Sequence, residues 1–327
     1  FLNNGDLLIG TAGSSMENGI LVQNNSTFSN GATGLIRINK ANAQWWSKSV
    51  AVISATFTNS GSIEAGNSSL NSYGLHVEST GSFTNQVSGT IRVNATTYNG
   101  IQLVHPSTMF TNNGFIEIGD SSQIGYNGIG IYENSSMSNS ATGTIELNQG
   151  TTNWFSGALF VHTGSFTNFG TIASGAFSNV NFGLLIGNST TETGTFVNHG
   201  NIEIDRIPPT TSYAAITVRP GSSFSNEITG VLKIGLNHNV QYGLYGGGTI
   251  SNYGLLQARH VIYGTVDYAQ TLTNYSGGVI EVLAPGTLLI ETAGTLHNHA
   301  DALLKSQSGA FLRIKGVVNN YGLIDAQ

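Results

Sequence analysis

Along the chain an apolar residue is followed two places later by Asn. Gly comes two or four places after that, then two aliphatics alternating with polar residues. The short form reads Phe57-Thr-Asn59-Ser-Gly61-Ser-Ile63, and the long form reads Phe28-Ser-Asn30-Gly-Ala-Thr-Gly34-Leu-Ile36. The two forms alternate through the first six copies. Phe, Asn, Gly and both aliphatics fall at even offsets in the short form. The long form adds two residues, which keeps every later side chain on the same face, where one extra residue would flip them all. Between copies lies a second apolar alternation that opens on a small residue. Examples are Gly19-Ile-Leu-Val22, Gly74-Leu-His-Val77, Gly128-Ile-Gly-Ile131 and Gly183-Leu-Leu-Ile186. Each repeat therefore reads as strand, turn, strand, turn, with room for a third short strand, and no stretch has a helical period.

The copies begin at Phe1, Phe28, Phe57, Phe83, Phe110, Met137, Phe166, Phe196, Phe224, Ile250, Leu272, Leu296 and Val318. Their spacing runs from 22 to 30 residues. The Asn is present in every copy: Asn3, Asn30, Asn59, Asn85, Asn112, Asn139, Asn168, Asn198, Asn226, Asn252, Asn274, Asn298 and Asn320. The Gly is less strict, with Ala302 in its place in the twelfth copy. A strand pair of one repeat cannot bury its apolar face alone, whereas stacking the next repeat in register buries a continuous core. The pattern predicts an all-β, right-handed parallel β-helix of about thirteen coils forming one domain over residues 1–327. Its Asn column turns inward at a bend, each amide bonding those above and below. At ~4.8 Å between coils the rod would be about 60 Å long. A β-propeller would want repeats of roughly 40 residues with four strands each, which do not fit.

Composition agrees and narrows the function. Only 9% of the residues are charged, against roughly 25% in an average soluble protein. Hydrophobic residues still reach 39%, enough to bury a core. The net charge of −6, with scattered Lys and Arg, argues against a nucleic-acid partner. No apolar stretch approaches the ~20 residues of a membrane span. There is no Cys, hence no disulfide. The chain opens on Phe1 in the first strand of a coil and stops at Gln327 after the same strand, with no covering helix. This suggests a segment of a longer solenoid, or a unit that stacks end to end.

Repeats of the form Phe-x-Asn-x-Gly-x-Ile resemble those of large bacterial surface adhesins and extracellular fibre proteins. They are similar, more loosely, to β-helical passenger domains of autotransporters and to filamentous haemagglutinins, whose coils are tighter. The resemblance covers the whole chain. It implies an extracellular rod at the cell surface that builds a filament or a biofilm matrix, partnered by itself and by glycans or other cell surfaces, and it brings no catalytic residue and no cofactor.

Candidate chemistry is sparse. The six Asp are dispersed, and the nearest approach to paired carboxylates is Glu117 one coil from Glu146. Their column reads Arg37, Glu64, Arg92, Glu117, Glu146, whose first four members alternate in sign, which reads as a solvated charge ladder ahead of a catalytic pair. His297 and His299 share a strand face, but a metal site needs three or four convergent ligands, so no metal is expected. Aromatic residues stand just before the second strand in nearly every coil from the second to the tenth. From these, Trp45, Trp46, Tyr98, Tyr126, Trp154 and Phe155 make a candidate ligand stripe for sugar rings. The competing reading is that these rings stack on one another and plug a corner; the Tyr residues read that way. Flat β-helix faces can bind ice, but that would want regular Thr-x-Thr ladders, and this chain has none.

Overall fold

The computed structural model describes residues 1–10, 17–39, 47–66, 72–119, 124–148, 157–174, 182–205, 214–259, 261–263, 265–266 and 270–327, with residues 241, 261–263 and 265–266 as backbone only. The chain is an all-β parallel solenoid. Two sheets of thirteen strands run along it, one strand per coil, beside a ten-stranded sheet and a three-stranded one. In the fourth coil the three successive strands are Ser82–Asn85, Thr90–Val93 and Ile101–Val104. The repeat motif thus straddles a bend: its Phe-x-Asn half lies in the first sheet and its aliphatic half in the second. The apolar alternation between copies supplies the third strand.

Every pairing is parallel and in step. Phe28 lies opposite Phe57 and Asn30 opposite Asn59, and the same match holds from coil to coil. Register survives unequal repeat lengths because the difference falls largely between the second and third strands. That connection covers residues 39–47 in one coil, 94–100 in another and 259–260 in a third. Inside, like stacks on like. Phe57, Phe83, Phe110, Phe166, Phe196 and Phe224 are at most 1% exposed. Rings of adjacent coils from Phe28 to Phe110 sit 4.7–4.8 Å apart and within 12° of parallel. Each such ring contributes about 2–3 kcal/mol of burial free energy. Ile63, Ile91 and Ile116 continue the core from the second sheet, and Leu75, Ile101 and Ile129 close it from the third.

The Asn column is the polar part of this core. Each Nδ2 donates to the Oδ1 of the next coil, at 2.8 Å from Asn3 through to Asn298 and at 2.7 Å from Asn298 to Asn320. Nδ2 also donates to the carbonyl of the motif Gly, as Asn85 does to Gly89 at 3.1 Å. A carbonyl can only accept, so it fixes which end of each amide faces which way. The Gly is needed for close approach. A Cβ at Gly89 would strike Asn85 Oδ1, and one at Gly114 would strike the Gln86 and Gly89 carbonyls of the coil below. Where Ala302 replaces it, the bond from Asn298 lengthens to 3.4 Å.

Candidate functional site

Among the described residues the third sheet is largely buried on its outward side as well as its inward one. Its inward columns join the main core. Its outward column in the middle of the chain runs Ala51, His76, Gln102, Gly130, Phe160, Leu185 and Thr217. Of these, Ala51, His76, Phe160, Leu185 and Thr217 are buried. Phe160, Phe182, Leu185 and Ala214 form a second apolar cluster, with Tyr132, Tyr242 and Tyr245 packed against it.

Gly130 makes room in that column. A Cβ there would come within 2.6 Å of the Tyr132 ring, which folds across the gap. The Tyr132 hydroxyl accepts from Asn127 Nδ2 at 2.9 Å and from Asn99 Nδ2 at 3.3 Å. Burial raises the Tyr132 pKa, so the phenol stays protonated. The ring meets Phe160 edge-on at 5.8 Å and His162 at 5.3 Å, and Phe160 meets His162 edge-on at 5.2 Å. These three rings, with Tyr126 and Asn188, line an open cleft of about 200 Å³.

Polar groups rim the cleft. His162 Nε2 lies 3.5 Å from Glu192 Oε2, to which Asn188 Nδ2 donates at 2.7 Å. Desolvation lowers the His162 pKa, with Glu192 opposing, so the imidazole is neutral at neutral pH. Two similar pairs lie along the same edge in earlier coils: His105 with Glu133 at 2.7 Å, and His76 with Glu78 at 2.6 Å. Burial lowers the His76 pKa as well. Its hydrogen bond to Glu78, aided by Lys48, holds that carboxyl at about 2. Aromatic walls, an amide and a neutral imidazole suit a small uncharged polyol or sugar better than an ion. Among the described residues no group of three or more His, Asp or Glu could hold a metal.

Of the candidate stripe, Tyr126 lines the cleft. Tyr98 stacks on Tyr73 at 5.6 Å and 22°, the corner-filling arrangement. Trp45, Trp46, Trp154 and Phe155 lie outside the described residues. The charged column is in register, with Arg37 donating to Glu64 at 2.8 Å and Arg92 to Glu117 at 2.9 Å. Glu117 lies beside Glu146 and also accepts from Asn148 Nδ2 at 3.1 Å. His297 and His299 have separate partners: Asn319 Nδ2 approaches the first at 3.2 Å, and the second stacks on Tyr275 at 5.0 Å.

Sequence reading missed Tyr132, Phe160 and His162. Their signal is an outward-facing ring within the third strand, at Phe160 of Gly157-Ala-Leu-Phe-Val161. It also missed a row one place after the ladder Asn, where Phe169 stacks on His199 at 4.7 Å and Tyr253 on Tyr275 at 4.3 Å. Rings stacked face to face shield one another's inner faces, so this row stiffens the bend, while Phe169 at the end of its stack stays 47% exposed.

No family model matches the chain, and no curated protein matches it. Among solved structures it is similar to a TibC-catalyzed hyper-glycosylated TibA fragment, with 12% identity and a TM-score of 0.31 over 97% of this chain and 98% of that one. At that level the likeness says nothing further about this chain.

Proposed function

We propose that this chain is a rigid extracellular rod, a structural and adhesive element of a cell-surface fibre or matrix, in which residues 1–327 act as one right-handed solenoid domain. The observation that carries the reading is the Asn ladder. Twelve amide links of one polarity, beside a stacked Phe column, commit buried residues in every coil to axial stiffness. A catalytic solenoid would need only a few coils arranged around one cluster. We assign no catalytic role, because Glu117 is held by Arg92 and Asn148, which leaves Glu146 without a free carboxylate beside it.

Self-association belongs to the same proposal. Each Nδ2 points toward the following coil and each Oδ1 toward the preceding one, so whatever stacks beyond Asn320, further coils or a second molecule, must present an acceptor. Lengthening is therefore head to tail. Negative-stain electron microscopy of the native material beside the 327-residue chain tests the reading. Unbranched fibres or straight rods about 60 Å long are expected. Flexible or rounded particles would overturn it.

A second reading, a carbohydrate-binding adhesin, is favoured by the cleft at Tyr126, Tyr132, Phe160 and His162. A glycan screen with Tyr126→Ala and His162→Ala beside Trp45→Ala and Trp154→Ala separates a cleft from a wider stripe. Binding unchanged in all four would remove this reading and leave the rod.

A further inference from the structure

The outward face of the first sheet is a two-column lattice of hydroxyls. The residue before the motif Phe and the residue after it both point outward, and register superposes them coil on coil. From Thr27 to Thr295 the first column is Ser or Thr in every coil but one, where Met109 stands. From Ser29 to Thr273 the second is likewise Ser or Thr in every coil but one, where Val197 stands. This is a mixed ladder of Ser and Thr, in which only Thr56-x-Thr58 and Thr271-x-Thr273 carry Thr at both places. It arises by stacking units such as Thr27-x-Ser29, Thr56-x-Thr58 and Ser82-x-Thr84.

Three further observations bear on what this face can hold. First, its hydroxyls are unspent: among the described residues only Ser225 uses its own on the protein, donating to Glu227. Second, the face is in step: each column residue lies directly opposite its counterpart in the next coil. Beneath it the Phe rings stay within 12° of parallel from Phe28 to Phe110 and open to 29° between Phe196 and Phe224. Third, neither column holds a charge.

We propose that this face binds ice. A hydroxyl on an open surface gains little from a dissolved partner, because water satisfies it equally well. A rigid array gains only against a lattice that meets many hydroxyls at once. Immobilising a water costs up to ~2 kcal/mol, and in ice that ordering is already complete. The columns repeat at ~4.8 Å along the rod and roughly 6.6 Å across it. Charged minerals, nucleic acid and anionic membranes are disfavoured by neutrality. Crystalline polysaccharide would want exposed ring faces, which these two columns lack. The inference goes beyond the rod reading and does not depend on it.

The test is partition of the full 327-residue chain into slowly grown ice, compared with a non-binding protein of similar size. Enrichment in the ice is expected. Thr58→Tyr with Thr84→Tyr, neighbours in the second column, should abolish it, while Glu146→Tyr on the second sheet should leave it intact. Thr58→Val with Thr84→Val keeps shape and methyl but removes the hydroxyls, and should weaken enrichment even if the Tyr pair fails to fold. Exclusion of the unmodified chain from ice overturns the proposal, as does equal loss in the Glu146→Tyr control. So does capture by microcrystalline cellulose without capture by ice. Variants that still form straight rods under the microscope but lose ice leave the rod reading standing, so the two readings fail separately.

Discussion

Removing one amide from the ladder is the most direct challenge to its place in the fold. Asn112 is fully buried. Its Oδ1 accepts from Asn85 at 2.8 Å, and its Nδ2 donates to Asn139 Oδ1 at 2.8 Å and to the Gly114 carbonyl at 3.1 Å. Asn112→Ala therefore strands the Oδ1 of Asn139 and leaves one N–H of Asn85 only its longer bond to the Phe115 carbonyl, at 3.3 Å. An orphaned buried group costs about 1–3 kcal/mol and a weakened bond less, so the expected loss is about 3 kcal/mol, a large share of a stability that is typically about 5–15 kcal/mol. Asn112→Asp keeps the shape but cannot donate when ionised, and it sets oxygen against Asn139 Oδ1. Desolvation and that lone pair raise the introduced carboxyl's folded pKa above its unfolded value of about 3.9. The folded form then holds a proton that the unfolded chain has released. Relative to an outward-facing control, the variant's stability should be greatest below about pH 4 and should fall as pH rises through the raised pKa. Guanidinium melts followed by far-UV circular dichroism from pH 3 to pH 8 measure both effects, with outward-facing Thr111→Ala as the reference. The reasoning is refuted if Asn112→Ala melts within about 0.5 kcal/mol of that reference, or if Asn112→Asp, measured against the same reference, is most stable at neutral pH.

Phe83→Ala removes a fully buried ring held at 4.8 Å from each neighbour. It should cost about 3–5 kcal/mol in the same melts. Phe83→Leu should cost less than about 1.5 kcal/mol, since Ile250 and Leu272 already occupy that column farther along. Glu78, held at about 2 by His76, adds stability that is present above its ordinary value of 4.5 and lost as pH falls through 2. His76, lowered by burial, adds stability that is likewise lost on acidification, below its ordinary 6.5. Thermal midpoints should therefore decline from neutral pH to pH 2, and Glu78→Gln should flatten the part below pH 4.5; an unchanged slope there would dismiss the pair. Arg92→Glu would line up four carboxylates with Glu64, Glu117 and Glu146. A loss of about 1 kcal/mol that shrinks in 1 M salt is expected, and a salt-independent loss would point to packing.

What could be read from the residues follows from which columns tolerate variation. Phe and Asn recur at a fixed offset because a stacked ring and a stacked amide each require the same partner one coil away, so the inward columns announce themselves. The third strand is fainter. Gly157–Val161 and Phe182–Ile186 are buried on both sides, which erases the alternation that marks a half-buried strand. The cleft was illegible for another reason. Tyr126 and Tyr132 share one coil, Phe160 and His162 belong to the next and Asn188 to the one after, and connections of unequal length intervene. Ser and Thr around the motif Phe looked like filler until register turned them into columns. The outward columns owe nothing to the core, so their chemistry can change partway along the rod while the inward ones hold. One place after the ladder Asn the residue is Ser60, Gln86, Asn113 and Ser140 in four coils, then Phe169 and His199, and later Tyr253, Tyr275 and His299. Asn and an apolar partner stay constant beneath them throughout. A solenoid of this kind carries its recognition chemistry across coils, in columns that no motif along the chain can report.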